Sequence, residues 1–205
     1  FDRPEWTLLG FRQCPNCPLD TDGAERCPVA VNLLQLTDEF EGRMSYDEVF
    51  LEVRTEERTC SGRTSVQDAL RSLMGIYMTT AGCPHLDRLR PMVRFHLPLA
   101  SPEETTFRAV GTYLVGQFLL RREDGGPDWD LEELQAVYDA VHQVNMAFTR
   151  RLGAASTSDA GVNSLVRLDL FTQMVPDAIR SELATYLPLF QAAFPERFEE
   201  GPEKH

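Results

Sequence analysis

Long apolar runs are missing from this 205-residue chain: no stretch of about 18 uncharged apolar residues occurs, so no segment is expected to span a bilayer. The start carries no basic-then-apolar leader. No Gly-x-Ser-x-Gly elbow, phosphate loop, dinucleotide fingerprint or His-Glu-x-x-His appears, so the commoner enzyme classes lack their usual marks and the enzyme question stays open. Internal repeats and low-complexity tracts are also lacking. Positive charge is scarce: 20 basic side chains stand against 32 acidic ones, a net charge of -12 that would repel a phosphate backbone. Nucleic acid is therefore disfavoured as the main partner, and no membrane is expected. A protein or small molecule of unknown identity is expected instead, in the cytoplasm. The chain starts at Phe1 without a methionine, which leaves room for a fragment, a processed product or a longer parent.

Apolar residues make up 42% and charged residues 25%, which is enough for a core of ordinary size without disulfide staples. The expected fold is mainly α: a helical, bundle-like single domain over residues 1–198, with a small β-hairpin at 45–62 and a helical body at 65–195. A Cys/Pro-rich loop segment over 1–28 precedes these, and a polar tail over 199–205 is expected to be disordered. Pro28 opens a helix to about residue 41, carried by Val29, Ala30, Leu33, Leu34, Leu36 and Phe40. Val49, Leu51 and Val53 alternate with Phe50, Glu52 and Arg54, and a tight turn at Glu56-Glu57 can return the chain through Arg58 to Ser61. Such a hairpin is marginal alone, so Trp6 to Leu9 is a candidate third strand.

Helices follow from there on. Ser65 with Asp68 caps one that runs to Gly82, Pro84 opens a short basic one to Leu89, and Pro91 bends or ends it. Ser101-Pro102-Glu103-Glu104 starts a long helix to about Arg122, in which Gly111 and Gly116 are expected to be repaid by close helix packing. Asp130 with Glu133 is the expected cap of the next, whose apolar face is Leu134, Val137, Val141, Val144, Phe148 and Leu152. The remainder divides into Asp159 to Met174 and Pro176 to Phe194, with a kink at Pro188.

Four of the five cysteines are followed at once by proline: Cys14, Cys17, Cys27 and Cys83. Cys14-x-x-Cys17 is a spacing by which two sulfurs of one loop reach one metal ion, and Cys27 follows in the same loop-rich segment. Cys27 and Cys83 each precede an expected helix start, where free N–H groups would favour thiolate. A tetrahedral four-sulfur site would tie the irregular first segment to the helical body. Zinc is the expected metal and an iron-sulfur cluster the alternative with the same ligand count. The expected function is a metal-stabilised binding or regulatory module; the alternative is a redox or metal-dependent enzyme using the same cysteines, with Arg94, His96 and Glu104 as substrate contacts. Redox dithiol chemistry and plain core packing compete for these residues, and Cys60 reads best as packing. His85 is a substitute ligand but reads better as an exposed or capping side chain. Arg88, Arg90, Arg94 and His96 could face an anion, though pairing with Asp87, Glu103 and Glu104 is the favoured reading. His142 and Asn145 suit an interhelical hydrogen bond.

These segments resemble an uncharacterised bacterial domain family of unknown function. The resemblance rests on Cys14-Pro15-Asn16-Cys17-Pro18-Leu19, on Cys27-Pro28-Val29-Ala30-Val31-Asn32-Leu33, and on Gly75-Ile76-Tyr77-Met78 leading to Gly82-Cys83-Pro84. It continues through Arg90-Pro91-Met92-Val93-Arg94-Phe95-His96-Leu97-Pro98 and Glu103-Glu104-Thr105, about the first three fifths of the chain. It implies a bacterial cytoplasmic origin and treats the Cys-Pro positions as one unit. It also implies an upstream segment that this chain lacks, leaving open whether a short sheet has lost strands.

Overall fold

Helix-start chemistry accounts for most of the architecture seen in the computed structural model, which describes residues 3–121, 126–155 and 159–198. Cys27 N-caps α1 (Pro28–Glu39) with proline in its first turn. The chain then forms an antiparallel hairpin, β1 (Glu48–Arg54) and β2 (Thr59–Ser65), in which Val53 faces Cys60 and Leu51 faces Gly62. The turn at Glu56-Glu57 is closed by Thr55 N–H donating to the Arg58 carbonyl at 2.8 Å. β2 runs past residue 62 to the cap of the next helix, because Ser65 both ends the strand and accepts from the Asp68 amide at 3.3 Å. That helix is α2 (Val66–Thr79), stopped by Gly82 at φ +87°, a conformation a side chain would strain.

A 3-10 turn at Leu86–Leu89 and α3 (Pro91–Arg94) replace the expected basic helix. Pro91 opens α3 instead of ending a helix, since its missing N–H falls where no intrahelical partner exists. Ser101 and Glu104 form the full reciprocal capping box of α4 (Pro102–Leu120). The expected end near Arg122 lies outside the described residues. α5 (Glu132–Ala155) is capped by Asp128 and not by Asp130: the Asp128 carboxylate accepts from the amides of Glu132 at 3.2 Å and Glu133 at 2.9 Å. Leu131 takes a positive φ of 63° and so brings those amides round to Asp128.

α6 (Asp159–Arg180) runs straight through Pro176, against the expected break at that residue. Pro176 and Val175 are buried there, and that packing offsets the lost backbone bond. The break comes instead at Glu182 and Leu183, both with positive φ. A 3-10 turn at Ala184–Tyr186 follows, then α7 (Leu187–Ala193), with Pro188 in its first turn where no kink arises, and α8 (Pro195–Phe198). The tail over 199–205 lies outside the described residues. Among the described residues the protein is thus mainly α, with eight α-helices and one two-stranded sheet. Trp6 to Leu9 does not extend that sheet; Trp6 is in a 3-10 turn and Leu8 bridges Arg26. No described helix is long and apolar enough to cross a membrane.

α6 packs against α2, α4 and α5. The main core gathers Leu33, Leu70, Met74, Phe148 and Leu165, and a smaller cluster holds Val110, Leu134, Tyr138 and Val175. Gly111 and Gly116 are not explained by close packing, because a Cβ at either would meet no described atom within 4 Å. Gly111→Ala and Gly116→Ala are therefore expected to stabilise the protein by about 0.5–1 kcal/mol each, read as a higher urea midpoint with an unchanged slope. A loss of stability in either variant would show a packing role that this geometry does not contain.

Candidate functional site

The first segment has little regular structure, and its order comes from ties to the helices. Leu9 N–H donates to the Glu25 carbonyl and Cys27 N–H to that of Thr7, both at 2.9 Å, and so close the segment on itself. Within it Cys17 N–H donates to the Cys14 carbonyl at 3.1 Å, which turns the Cys-x-x-Cys loop back on itself. The Asn16 side chain of that loop donates to the Ala140 carbonyl of α5 at 3.0 Å. His85 Nε2 donates to the Asn16 carbonyl at 2.6 Å, and this clips the turn after Cys83 to the same loop. His85 is thus neither a free exposed side chain nor offered as a ligand through that nitrogen.

The fold brings Cys14, Cys17, Cys27 and Cys83 to one place from loop, helix start and helix end. Cys27 is buried, and the other three pack against the same core cluster. They are near enough for charge on one to act on another: burial pushes the Cys14 thiol up to about 12, and Cys27, Cys17 and Cys83 add to that rise. Burial also raises Cys83, outweighing the amides of Leu86 and His85 that donate to its sulfur. The expectation that a helix start would ease the Cys83 thiolate is corrected here, since loss of water exceeds what two amides return. Cys27 does N-cap α1, but its side chain makes no capping bond. All five cysteines are unpaired, and Cys60 is half-buried on the inner side of β2. Among the described residues no group of three or more His, Cys, Asp or Glu side chains is arranged to hold a metal ion. The four thiols are neighbours without forming a finished cage.

Beside them lies a residue the sequence reading passed over. Arg151 of α5 is 1% exposed, and no described carboxylate pairs with it. Its guanidinium donates to the carbonyls of Trp6 and Leu8, both at 2.7 Å, and of Leu9 at 3.1 Å. Its Nε makes no hydrogen bond, and its charge is felt by Cys27, Cys14 and Cys17. A signal was there to find, because position 151 falls three after Phe148 and seven after Val144 on the apolar face of the helix.

The remaining polar candidates disperse. Arg90 pairs with Asp87 and Arg94 with Glu57, each at 2.6 Å, while Arg88 is exposed. Pairing is the outcome, but with Glu57 in place of Glu103 or Glu104; Glu104 is taken by the capping box. His142 Nδ1 and Asn145 Nδ2 both reach Asp169 on α6, the expected interhelical link. Of the three residues expected as substrate contacts, Arg94 is thus engaged by Glu57 and Glu104 by the cap of α4.

His96 turns inward, and burial, Arg108 and Arg71 hold its pKa down at about 4. The unfolded imidazole takes its proton near pH 6.5, so between about 6.5 and 4 the unfolded chain binds more protons and stability falls as pH is lowered. His96→Gln is expected to reduce that slope by up to about 1.4 kcal/mol per pH unit in urea titrations over this window. An unchanged slope would mean that His96 is protonated in the folded protein.

Comparison with known proteins adds a family and no activity. Searches of curated proteins and of solved structures found no match. A family model with the description "Domain of unknown function (DUF6901)" matches residues 1–191.

Proposed function

The chain belongs to the DUF6901 family, and from that premise, with no activity to inherit, we propose a metal-stabilised binding or regulatory module. Cys14, Cys17, Cys27 and Cys83 would hold one metal ion, zinc in the first instance, and the ion would fasten the first segment to the start of α1 and to the turn that follows α2. The observation that supports this most is Arg151, a buried cation with three carbonyls, no described carboxylate and three thiols within reach of its charge.

Charge balance gives the argument its direction. With four neutral thiols, Arg151 is an uncompensated buried charge, a costly state. Four thiolates without a metal would repel one another in the same low-dielectric space. Four thiolates on a divalent ion carry a net charge of two negatives, which Arg151 halves, and every group then has a partner of opposite sign. The two amides that donate to Cys83 are the outer hydrogen bonds that metal-bound thiolates commonly accept. Assembly of the cage would require the thiols to draw together as their protons leave, which couples metal uptake to local ordering.

Unpaired cysteines suit a reducing compartment, so the bacterial cytoplasm is the proposed location. The net charge of -12 speaks for a protein or small-molecule partner over nucleic acid. The test is metal content and the visible spectrum of protein purified without oxygen. One zinc per chain in a colourless sample supports the structural site. Iron with inorganic sulfide and broad absorption near about 400 nm would move the reading to electron transfer or cluster sensing. No metal after reconstitution would refute both.

A further inference from the structure

Away from the cysteines, α2, α3, α4, α5 and α6 enclose a cavity of about 120 Å³. Most of its wall is apolar, with Ile76, Met92, Val141, Leu168 and Phe171 among the lining side chains. Among the described residues no carboxylate lines it, so a cationic ligand would find no counter-charge there. The two arginines of the wall are already held by the protein. Arg71 is 8% exposed, lies 3.4 Å from the Asp68 carboxylate and stacks over the Phe171 ring at 3.9 Å. Arg108 donates from Nε to the Phe95 carbonyl at 2.9 Å and from Nη2 to that of Met92 at 3.3 Å. His96, also in the wall, is uncharged at neutral pH, since its pKa is held down at about 4. What remains for a ligand is an apolar space and neutral hydrogen bonding.

One neutral group has that capacity to spare. Tyr138, Val141 and Asn145 of α5 line the cavity together, because their spacing of three and four puts them on one helix face. Asn145 is 1% exposed, and its Oδ1 makes no hydrogen bond within the protein. The amide orientation is fixed: Nδ2 donates to Thr172 Oγ1 at 3.0 Å and lies 3.4 Å from the Asp169 carboxylate, where a reversed amide would set oxygen against oxygen. An amide oxygen only accepts, so the missing partner is a donor. Buried acceptors left without one are costly and few. Thr172 does not supply it, since its hydroxyl accepts from Asn145 and donates to the Leu168 carbonyl at 3.2 Å. A buried water would need about two to four polar partners, which suits a mostly apolar wall poorly. A donor carried on an apolar body satisfies the acceptor and the wall at once. An apolar cavity of about 150 Å³ holds a benzene molecule, so this one admits a body of roughly ring size.

We propose that the cavity binds a small neutral molecule with an apolar, ring-sized body and one hydroxyl, of the phenol class, the hydroxyl donating to Asn145 Oδ1 and the body packing against Ile76, Val141 and Leu168. The metal reading uses none of these residues, so either can fail alone.

The test uses the full chain with phenol as probe, fluorobenzene as a body of nearly the same shape without a donor, and benzoate as a charged counterpart. Fluorobenzene leaves water more readily than phenol, so a preference for phenol must come from a hydrogen bond made inside the protein. Calorimetric titration is expected to show phenol binding at least tenfold more tightly than either of the others. This comparison needs no variant. Asn145→Leu, of similar volume, should keep fluorobenzene binding and lose the preference for phenol. Gly75 lines the cavity on α2, and a Cβ there meets only Leu168 Cδ1, at 3.9 Å. Gly75→Leu should therefore fill the space and abolish phenol binding while the circular dichroism of the free protein is kept. If either variant fails to fold, the wild-type comparison decides. Fluorobenzene or benzoate binding as tightly as phenol, phenol binding retained in folded Gly75→Leu, a phenol preference retained in folded Asn145→Leu, or no phenol binding tighter than about 10 mM would each overturn the proposal.

Discussion

Arg151→Ala is expected to lower the unfolding free energy by about 3–5 kcal/mol and the thermal midpoint by roughly 10 °C, the largest single-residue effect foreseen in this protein. The variant removes a well-packed side chain that lies against the Phe148 ring and leaves three carbonyls without their donor. Those carbonyls, of Trp6, Leu8 and Leu9, belong to the segment with the least regular bonding of its own, and of the three only that of Leu8 keeps a local donor, the Phe11 amide at 3.2 Å. Arg151→Lys should recover only part, since one ammonium cannot present the planar fork that three carbonyls now share. Arg151→Met separates the two roles assigned to this side chain: it keeps the stem and removes the charge. If Arg151 balances a metal-thiolate centre, the methionine variant retains less metal per chain at a given chelator concentration. Full metal retention alongside lost stability would reduce Arg151 to a carbonyl clamp. An Arg151→Ala effect below about 1 kcal/mol would remove it from the argument altogether.

Local chemistry was the legible part of this fold. Ser65 with Asp68, Ser101 with Glu104, and Pro28 after Cys27 mark their helix starts because each signal is completed within four residues and needs no partner elsewhere. The Glu56-Glu57 turn is of the same kind. Signals that depend on the rest of the chain were misread. Asp130 with Glu133 has the pattern of a cap, yet a positive φ at Leu131 hands the role to Asp128. Pro176 has the pattern of a helix start, yet burial of the surrounding turn carries α6 through it. The expected packing at Gly111 and Gly116 failed for a related reason, since a glycine pattern cannot say whether a neighbour arrives. At the candidate site, the Cys-Pro dipeptides drew attention to four residues that the fold does place together. Arg151 and Arg71 were overlooked because arginine is ordinarily a surface residue. Their positions on apolar helix faces, seven after Val144 and seven before Met78, were the available warning.

If the four cysteines hold a metal ion as proposed, its removal, or replacement of Cys14 and Cys17 together by serine, is expected to expose residues 3–27 to protease while α5 and α6 stay protected. Trypsin would then cut after Arg12 and Arg26 at least tenfold faster than in the metal-loaded protein, as seen by mass spectrometry of timed digests. The expectation follows from how unevenly order is supplied. α5 and α6 bury Phe148, Leu152 and Leu165 in the main core and are held by their own backbone ladders. The first segment has a three-residue 3-10 turn, one isolated bridge and the Arg151 clamp. Such a region opens at low free energy unless something else fastens it. A metal ion bound only in the closed arrangement would add its binding free energy to closure, and that coupling disappears with the ion or with two of its ligands. Circular dichroism should change little, because this segment contains almost no helix to lose. Global unfolding in the double variant would place the cysteines in the core of the whole fold and not at a fastening of one segment. Equal cleavage with and without metal would show that Arg151, His85 and Asn16 hold the segment by themselves, and the thiols would then be left to packing or to redox chemistry.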